Sequence, residues 1–171
     1  EWQRATRRGW KYLEHQQRPD GSWLPLWFGN QFHPDESNPV YGTARALMAF
    51  RDWDRIDSNK ARRGIEFLIR QQDPSGGWGA GLESGGDSTN CSVEETSLAV
   101  ESLLAVPQEN GGSSVTQARE QGLTWLASAI EKGAHREATP IGLYFAKLWY
   151  FERLYPTIFA TAALRAVARH R

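Results

Sequence analysis

The sequence holds a single cysteine, Cys91, in 171 residues, so no intrachain disulfide framework can staple it. That usage fits a reducing compartment. Neither sign of charge is in excess: Lys plus Arg and Asp plus Glu number 20 each. There is no basic surplus to draw the chain to nucleic acid and no acidic tail to keep it disordered. No run approaches the roughly 20 apolar residues that span a bilayer, which still leaves binding to one leaflet open. The first ten residues carry Arg4, Arg7 and Arg8 but no apolar core, unlike a signal peptide. Long alternations of β-branched residues are missing too, so strands are not expected. The chain does not begin with Met and is expected to be a piece of something longer.

What is abundant is tryptophan: 8 residues against 7 Phe and 5 Tyr. An indole is large, rigid and carries an N–H that needs a partner when buried. So many of them call for either a structural or a cation-handling explanation. A chain of this length buries a core of its own, and a single domain over residues 1–171 is the expectation.

The chain repeats itself. Arg8-Gly9-Trp10-Lys11-Tyr12-Leu13 returns as Arg63-Gly64-Ile65-Glu66-Phe67-Leu68, then as Gln121-Gly122-Leu123-Thr124-Trp125-Leu126, at offsets of 55 and 58. The shared pattern is Gly-x-x-aromatic-Leu. Two copies continue alike, through Gln17, Gly21 and Trp23 and through Gln72, Gly76 and Trp78, both reading Gln-x-x-x-Gly-x-Trp. A second element follows each, marked by Thr43-x-x-Ala46 and Thr96-x-x-Ala99, with a third copy around Thr157 and Ala160.

Each unit reads as two helices. Ala61, Ile65, Leu68 and Ile69 fall on one face, as do Leu123, Leu126 and Ile130. The second segments are rich in alanine and permit close helix approach. Helices are expected over Gln3–Gln17 and Asn59–Gln71, the latter capped by Asp57 or Ser58. Another starts at Ser113 or Ser114, and an extra one covers Leu143–Leu154. The connections at 18–38 and 73–92 are long enough to be functional. Helical hairpins stacked with long loops at one end describe an all-α solenoid or α/α toroid, here of about three hairpins.

The Gln-x-x-x-Gly-x-Trp element has a physical reading. The Gln amide can serve unpaired backbone groups at a helix terminus, the Gly permits a tight turn, and the Trp folds back to shield those bonds from water.

This element is similar to the QW motif of squalene and oxidosqualene cyclases, and the resemblance covers most of the chain. Trp23-Leu-Pro-Leu-Trp27 followed by Tyr41-Gly42-Thr43 resembles the family's run after its second-last QW motif. The segment from Leu143 through Tyr155-Pro156-Thr157 resembles its aromatic C-terminal helix. The resemblance implies that the chain is the C-terminal part of a squalene-hopene-type cyclase, three hairpins of an (α/α)6 toroid. Such an isomerase or lyase protonates a squalene-like polyene and closes rings through carbocations, toward hopanoid triterpenes, without metal or organic cofactor. The longer protein would sit peripherally, as a monotopic protein, on the cytoplasmic side of a membrane, while the fragment itself would be soluble and free of nucleic acid.

The family's acid, an Asp-x-Asp-Asp motif, is absent from this chain, and Asp52 and Asp54 read as solvated surface groups. In the family the motif lies upstream, so the isolated fragment is expected to be inactive. Residue by residue, the resemblance makes Trp27 a cavity Trp beside the growing cation and Tyr41 the Tyr that hydrogen-bonds around the acid. It places Tyr144 and Phe151 on the last cavity-lining helix. The chain departs from the family at Leu148, where an aromatic is usual, and in residues 33–40, which look inserted. Glu94-Glu95 stand where Ser-Gln is usual and are more easily solvated than buried, and the third QW motif has lost its Gly-x-Trp.

Two other readings stay open at the level of sequence. A protein prenyltransferase β-subunit shares the toroid but needs zinc, for which Asp87, Cys91 and His135 would have to converge. A helical-repeat domain that binds a lipid or a protein partner needs no chemistry at all. In either case the open ends of a partial toroid are expected to associate, most simply as a two-fold homodimer.

Overall fold

The computed structural model describes residues 1–80, 91–143 and 148–169, with backbone only at 108–111 and 140–143. Its helices are α1 (Trp2–His15), α2 (Pro39–Asp52), α3 (Asn59–Arg70), α4 (Val93–Leu104), α5 (Gln108–Glu131) and α6 (Tyr155–Arg169). In chain order they fall into three pairs, α1–α2, α3–α4 and α5–α6, and the second helices of the pairs pack on one another, α2 on α4 and α4 on α6. Helix α4 is buried on nearly every side between α2, α5 and α6. Helices α1 and α3 are amphipathic, with Trp10 on one and Ala61, Ile65, Phe67 and Leu68 on the other turned inward.

The starts of the helices follow from local chemistry. Asn38 Oδ1 accepts from Tyr41 N–H at 3.0 Å, and Pro39 occupies the first turn of α2, where a missing N–H costs nothing. Ser58, one of the two expected caps, accepts from Ala61 N–H, and Ser92 accepts from Glu95 N–H. The helix expected to start at Ser113 or Ser114 is the second part of α5, set off by a break at Gly112, where φ is 60°.

One expected helix is not formed. Of the span 143–154, the described residues form no such helix; β1 (Pro140–Leu143) and β2 (Leu148–Phe151) pair antiparallel, Pro140 opposite Phe151 and Leu143 opposite Leu148. The run Leu148-Trp149-Tyr150-Phe151 is dense in aromatics, which suit a pleated, half-buried surface better than a helix. A four-residue strand is too short to display an alternation, so the sequence carries no strand signal here.

The repeated motif has the same geometry twice. Gln17 Nε2 donates to Gly21 O at 2.9 Å and to Lys60 O of α3 at 2.8 Å. Gln72 Nε2 donates to Gly76 O and to Ala118 O of α5, both at 2.9 Å. Each Gln therefore ties its own turn to the outer helix of the next unit. Gly21 and Gly76 have φ of 94° and 98°, which L side chains avoid, and a Cβ on Gly76 would stand 2.7 Å from Gln121 O. The indoles are buried and satisfied: Trp23 Nε1 donates to Leu13 O at 2.7 Å and Trp78 Nε1 to Leu68 O at 2.8 Å. The second element of each unit locks on through its threonine, because Thr43 and Thr96 Oγ1 accept the backbone N–H of Trp23 and Trp78. In the third unit, which lacks the Trp, Thr157 Oγ1 donates to His135 O instead.

Candidate functional site

Tyr41 sits in the first turn of α2, held by the Asn38 cap, and is buried. Its ring centroid lies 5.1 Å from Phe28, which the long 18–38 connection delivers, and 6.4 Å from Phe159 of α6. Phe159 in turn lies 5.4 Å from Tyr155. Four rings from three parts of the chain thus form one continuous aromatic cluster. Arg45, one turn along α2, places its guanidinium 5.8 Å from the Tyr41 centroid. Burial pushes the Tyr41 hydroxyl above its ordinary range, against the opposing pull of Arg45, so the phenol is neutral at physiological pH. A neutral, electron-rich surface of this kind steadies positive charge without offering a base to remove a proton.

Of the site residues expected from sequence, Tyr41 stands at the centre of these ring contacts. Trp27 and Phe151 stand at the surface, 56 % and 64 % exposed. Phe151 lies at the end of β2 rather than on a helix, which corrects its expected place on a last cavity-lining helix. Tyr144, the other residue expected there, lies outside the described residues. Leu148 is exposed on the same hairpin. Gln17, Gly21, Trp23, Gln72, Gly76 and Trp78 make the turns and bonds given above. Sequence reasoning missed Phe28, Tyr155 and Phe159 as site residues. Tyr155 and Phe159 lie four apart flanking Thr157, a spacing that puts them on one helix face and could have drawn attention to them.

The carboxylates divide sharply. Asp52 and Asp54 are exposed, Asp52 paired with Arg51, in keeping with surface groups. Glu94 and Glu95, expected to be solvated, are instead buried in the first turn of α4. Glu95 Oε1 accepts from Asn38 Nδ2 at 2.8 Å and from Asn30 Nδ2 at 3.2 Å, and Glu94 Oε1 accepts from Thr139 N–H at 3.0 Å. Their place at a helix N-terminus, together with these donors, is what makes the burial tolerable. Desolvation first, then the neighbouring charge of Glu94, pushes the Glu95 carboxyl up to about 7.

The zinc reading finds no support in the described residues, where no group of three His, Cys, Asp or Glu side chains converges. Burial pushes the Cys91 thiol up to about 12, so it is not the ready thiolate that zinc prefers. Asp87 lies outside the described residues.

The family described as squalene-hopene cyclase C-terminal domain matches residues 1–169. The chain belongs to that family. Relatives include the squalene–hopene cyclase of Zymomonas mobilis, 29 % identical over 94 % of this chain and 23 % of that protein. Another is the copalyl diphosphate synthase of Streptomyces cyslabdanicus, 28 % identical over 89 % of this chain and 24 % of that protein. In three dimensions the chain is similar to an ent-copalyl diphosphate synthase from Streptomyces platensis, with a TM-score of 0.65 and 20 % identity over 94 % of this chain and 26 % of that one. The chain spans about a quarter of the length of each. The fold is thus that of a terpene cyclase, and family membership settles between a cyclase and a prenyltransferase lineage in favour of the cyclase.

Proposed function

We propose that the chain is the C-terminal, mainly helical domain of a longer squalene-hopene-type cyclase and that its Tyr41-centred aromatic cluster forms part of the wall of the cyclisation cavity. The observation that carries this is the convergence of Phe28, Tyr41, Phe159 and Tyr155 at one place. Stabilising a desolvated carbocation by an aromatic face contributes roughly 2 kcal/mol or more per contact. Trp27 and Phe151, exposed in this chain, would complete that wall against upstream helices, and Tyr144 belongs to the same proposal. The acid that protonates the polyene would come from upstream, as no Asp-x-Asp-Asp motif occurs here. The isolated chain would then be inactive, and the longer protein would take a squalene-like polyene from one leaflet of a membrane.

A second substrate class is favoured by one observation. The copalyl diphosphate synthase is as similar to the chain as the squalene–hopene cyclase is. A linear prenyl diphosphate is therefore the alternative polyene. Incubating the longer protein with squalene and, separately, with a linear prenyl diphosphate tests both. Cyclised product from squalene is expected; product from the diphosphate alone moves the chain to the second class. Product from neither leaves a helical-repeat binding domain.

A further inference from the structure

Two asparagines and one glutamate link the long 18–38 connection to the centre of the fold. Glu95 Oε1 holds the amide nitrogens of both Asn38 and Asn30. At their other ends Asn38 Oδ1 accepts from Tyr41 N–H and Asn30 Oδ1 accepts from Phe32 N–H, each at 3.0 Å. A side-chain amide is planar, so fixing its nitrogen fixes the direction of its oxygen. Asn38 is thereby oriented to cap α2 at Tyr41. Asn30, two residues after Phe28, pins the loop whose Phe28 ring packs at a tilt against Tyr41.

We propose that Glu95 is a positioning residue for the aromatic cluster, acting through Asn38 and Asn30 to set where Tyr41 and Phe28 stand. The inference rests on the reading of that cluster as a cavity wall only for its catalytic consequence; the placement itself is independent of it. The grip depends on charge, because an ionised carboxylate accepts amide hydrogens more strongly than a neutral carboxyl does. Glu95 Oε2 is buried with no hydrogen-bond partner, so the two amides and the residue's own backbone N–H are what favour the ionised form. With its carboxyl raised to about 7, the residue changes charge across neutrality, and the grip tightens as pH rises.

The ionisable groups on the elements around it are few. Glu94 shares its turn and Cys91 precedes it at the head of α4. Tyr41 and Arg45 lie on α2, and His33 and Asp35 pair in the loop. Tyr150 of β2 and Tyr155 of α6 lie near Tyr41, and Lys132 and Glu137, beyond the end of α5, line a cavity that reaches Ser92 and Val93. Glu94 is the one that opposes ionisation of Glu95.

Near-ultraviolet circular dichroism of the chain at acid and alkaline pH reads the cluster directly. The tyrosine bands of the unmodified chain should change with a midpoint near neutrality. Glu95→Gln, which keeps an acceptor oxygen for both amides but cannot titrate, should remove that change. In the longer protein, assayed with squalene, Glu95→Ala should lower kcat about tenfold with KM within about twofold. Glu95→Gln should recover most of that loss and flatten the pH dependence of kcat around neutrality. Tyrosine bands that titrate identically in Glu95→Gln, or equal losses of kcat in both variants, would overturn the proposal. Failure of the longer protein to turn over squalene would count against the cyclase reading, while the dichroism would still decide this one.

Discussion

The indole of Trp23 lies on Gly64: a Cβ at Gly64 would stand 2.8 Å from Trp23 Cζ3. The relation recurs between Trp78 and Gly122, where the distance would be 2.6 Å. The glycine of each Gly-x-x-aromatic-Leu segment is therefore the seat of the preceding unit's tryptophan. Gly9, the glycine of the first segment, has nothing within 4 Å of the corresponding point.

That difference predicts opposite effects of one substitution. Gly64→Ala and Gly122→Ala should each destabilise the chain by about 1–3 kcal/mol, because ring and helix must move apart. Gly9→Ala, in an exposed position of α1, should stabilise it by about 0.5–1 kcal/mol through helix propensity. Denaturant unfolding of the three variants checks this; a loss of similar size at Gly9 would contradict it.

Gln72 and Trp78 act as one unit, since one ties the turn to α5 and the other closes it against Leu68 O. Gln72→Ala leaves Gly76 O and Ala118 O without the amide and should cost on the order of 1–3 kcal/mol. Trp78→Ala empties a fully buried site and should cost about 3–5 kcal/mol. The double variant should fall short of the sum. Full additivity in the cycle would mean that the two side chains stabilise the chain independently.

Glu95 makes stability pH-dependent. A carboxyl raised from 4.5 to about 7 on folding binds its proton more tightly in the folded chain than in the unfolded one. The stability it contributes is complete below pH 4.5 and is lost as pH rises through about 7. The loss is about 3 kcal/mol at most. The melting temperature of the unmodified chain should fall by several degrees more than that of Glu95→Gln between pH 5 and pH 8; parallel pH dependences would contradict the assignment.

The open edge of the chain should associate. Between α1 and α2 lies a groove of about 490 Å³ lined by Tyr12, Leu13, Leu24, Leu26 and Ala49 among others, with Arg45 at its side. We expect a two-fold dimer that covers such apolar faces. Sedimentation at tens of micromolar should show it; a monomer that binds little apolar dye would indicate a self-contained domain.

The helical framework was legible in the sequence because each unit carries Gly-x-x-aromatic-Leu and the first two add Gln-x-x-x-Gly-x-Trp. The roles of Gln17, Gly21, Gln72 and Gly76 could be derived from amide and glycine chemistry before any coordinates. The pairing of β1 with β2 was not legible, since two four-residue strands carry no period. The burial of Glu94 and Glu95 was hidden for a different reason. Charge alone argues for solvation, and the donors that reverse it, Asn30, Asn38 and the Thr139 N–H, come from places 45 to 65 residues away in sequence. The aromatic cluster was half legible: Tyr41 came from its motif, whereas Phe28 and Phe159 reach it only through the fold.

Product analysis of the longer protein carrying Tyr41→Phe, Phe159→Leu or Trp27→Leu tests the cavity-wall reading most directly. Tyr41→Phe keeps the ring and removes the hydroxyl, so turnover should fall while the folded state stays intact. Phe159→Leu and Trp27→Leu weaken cation stabilisation and should shift the product toward prematurely terminated rings. Unchanged turnover and an unchanged product distribution in all three, with each variant folded, would contradict it and leave these aromatics a structural role alone.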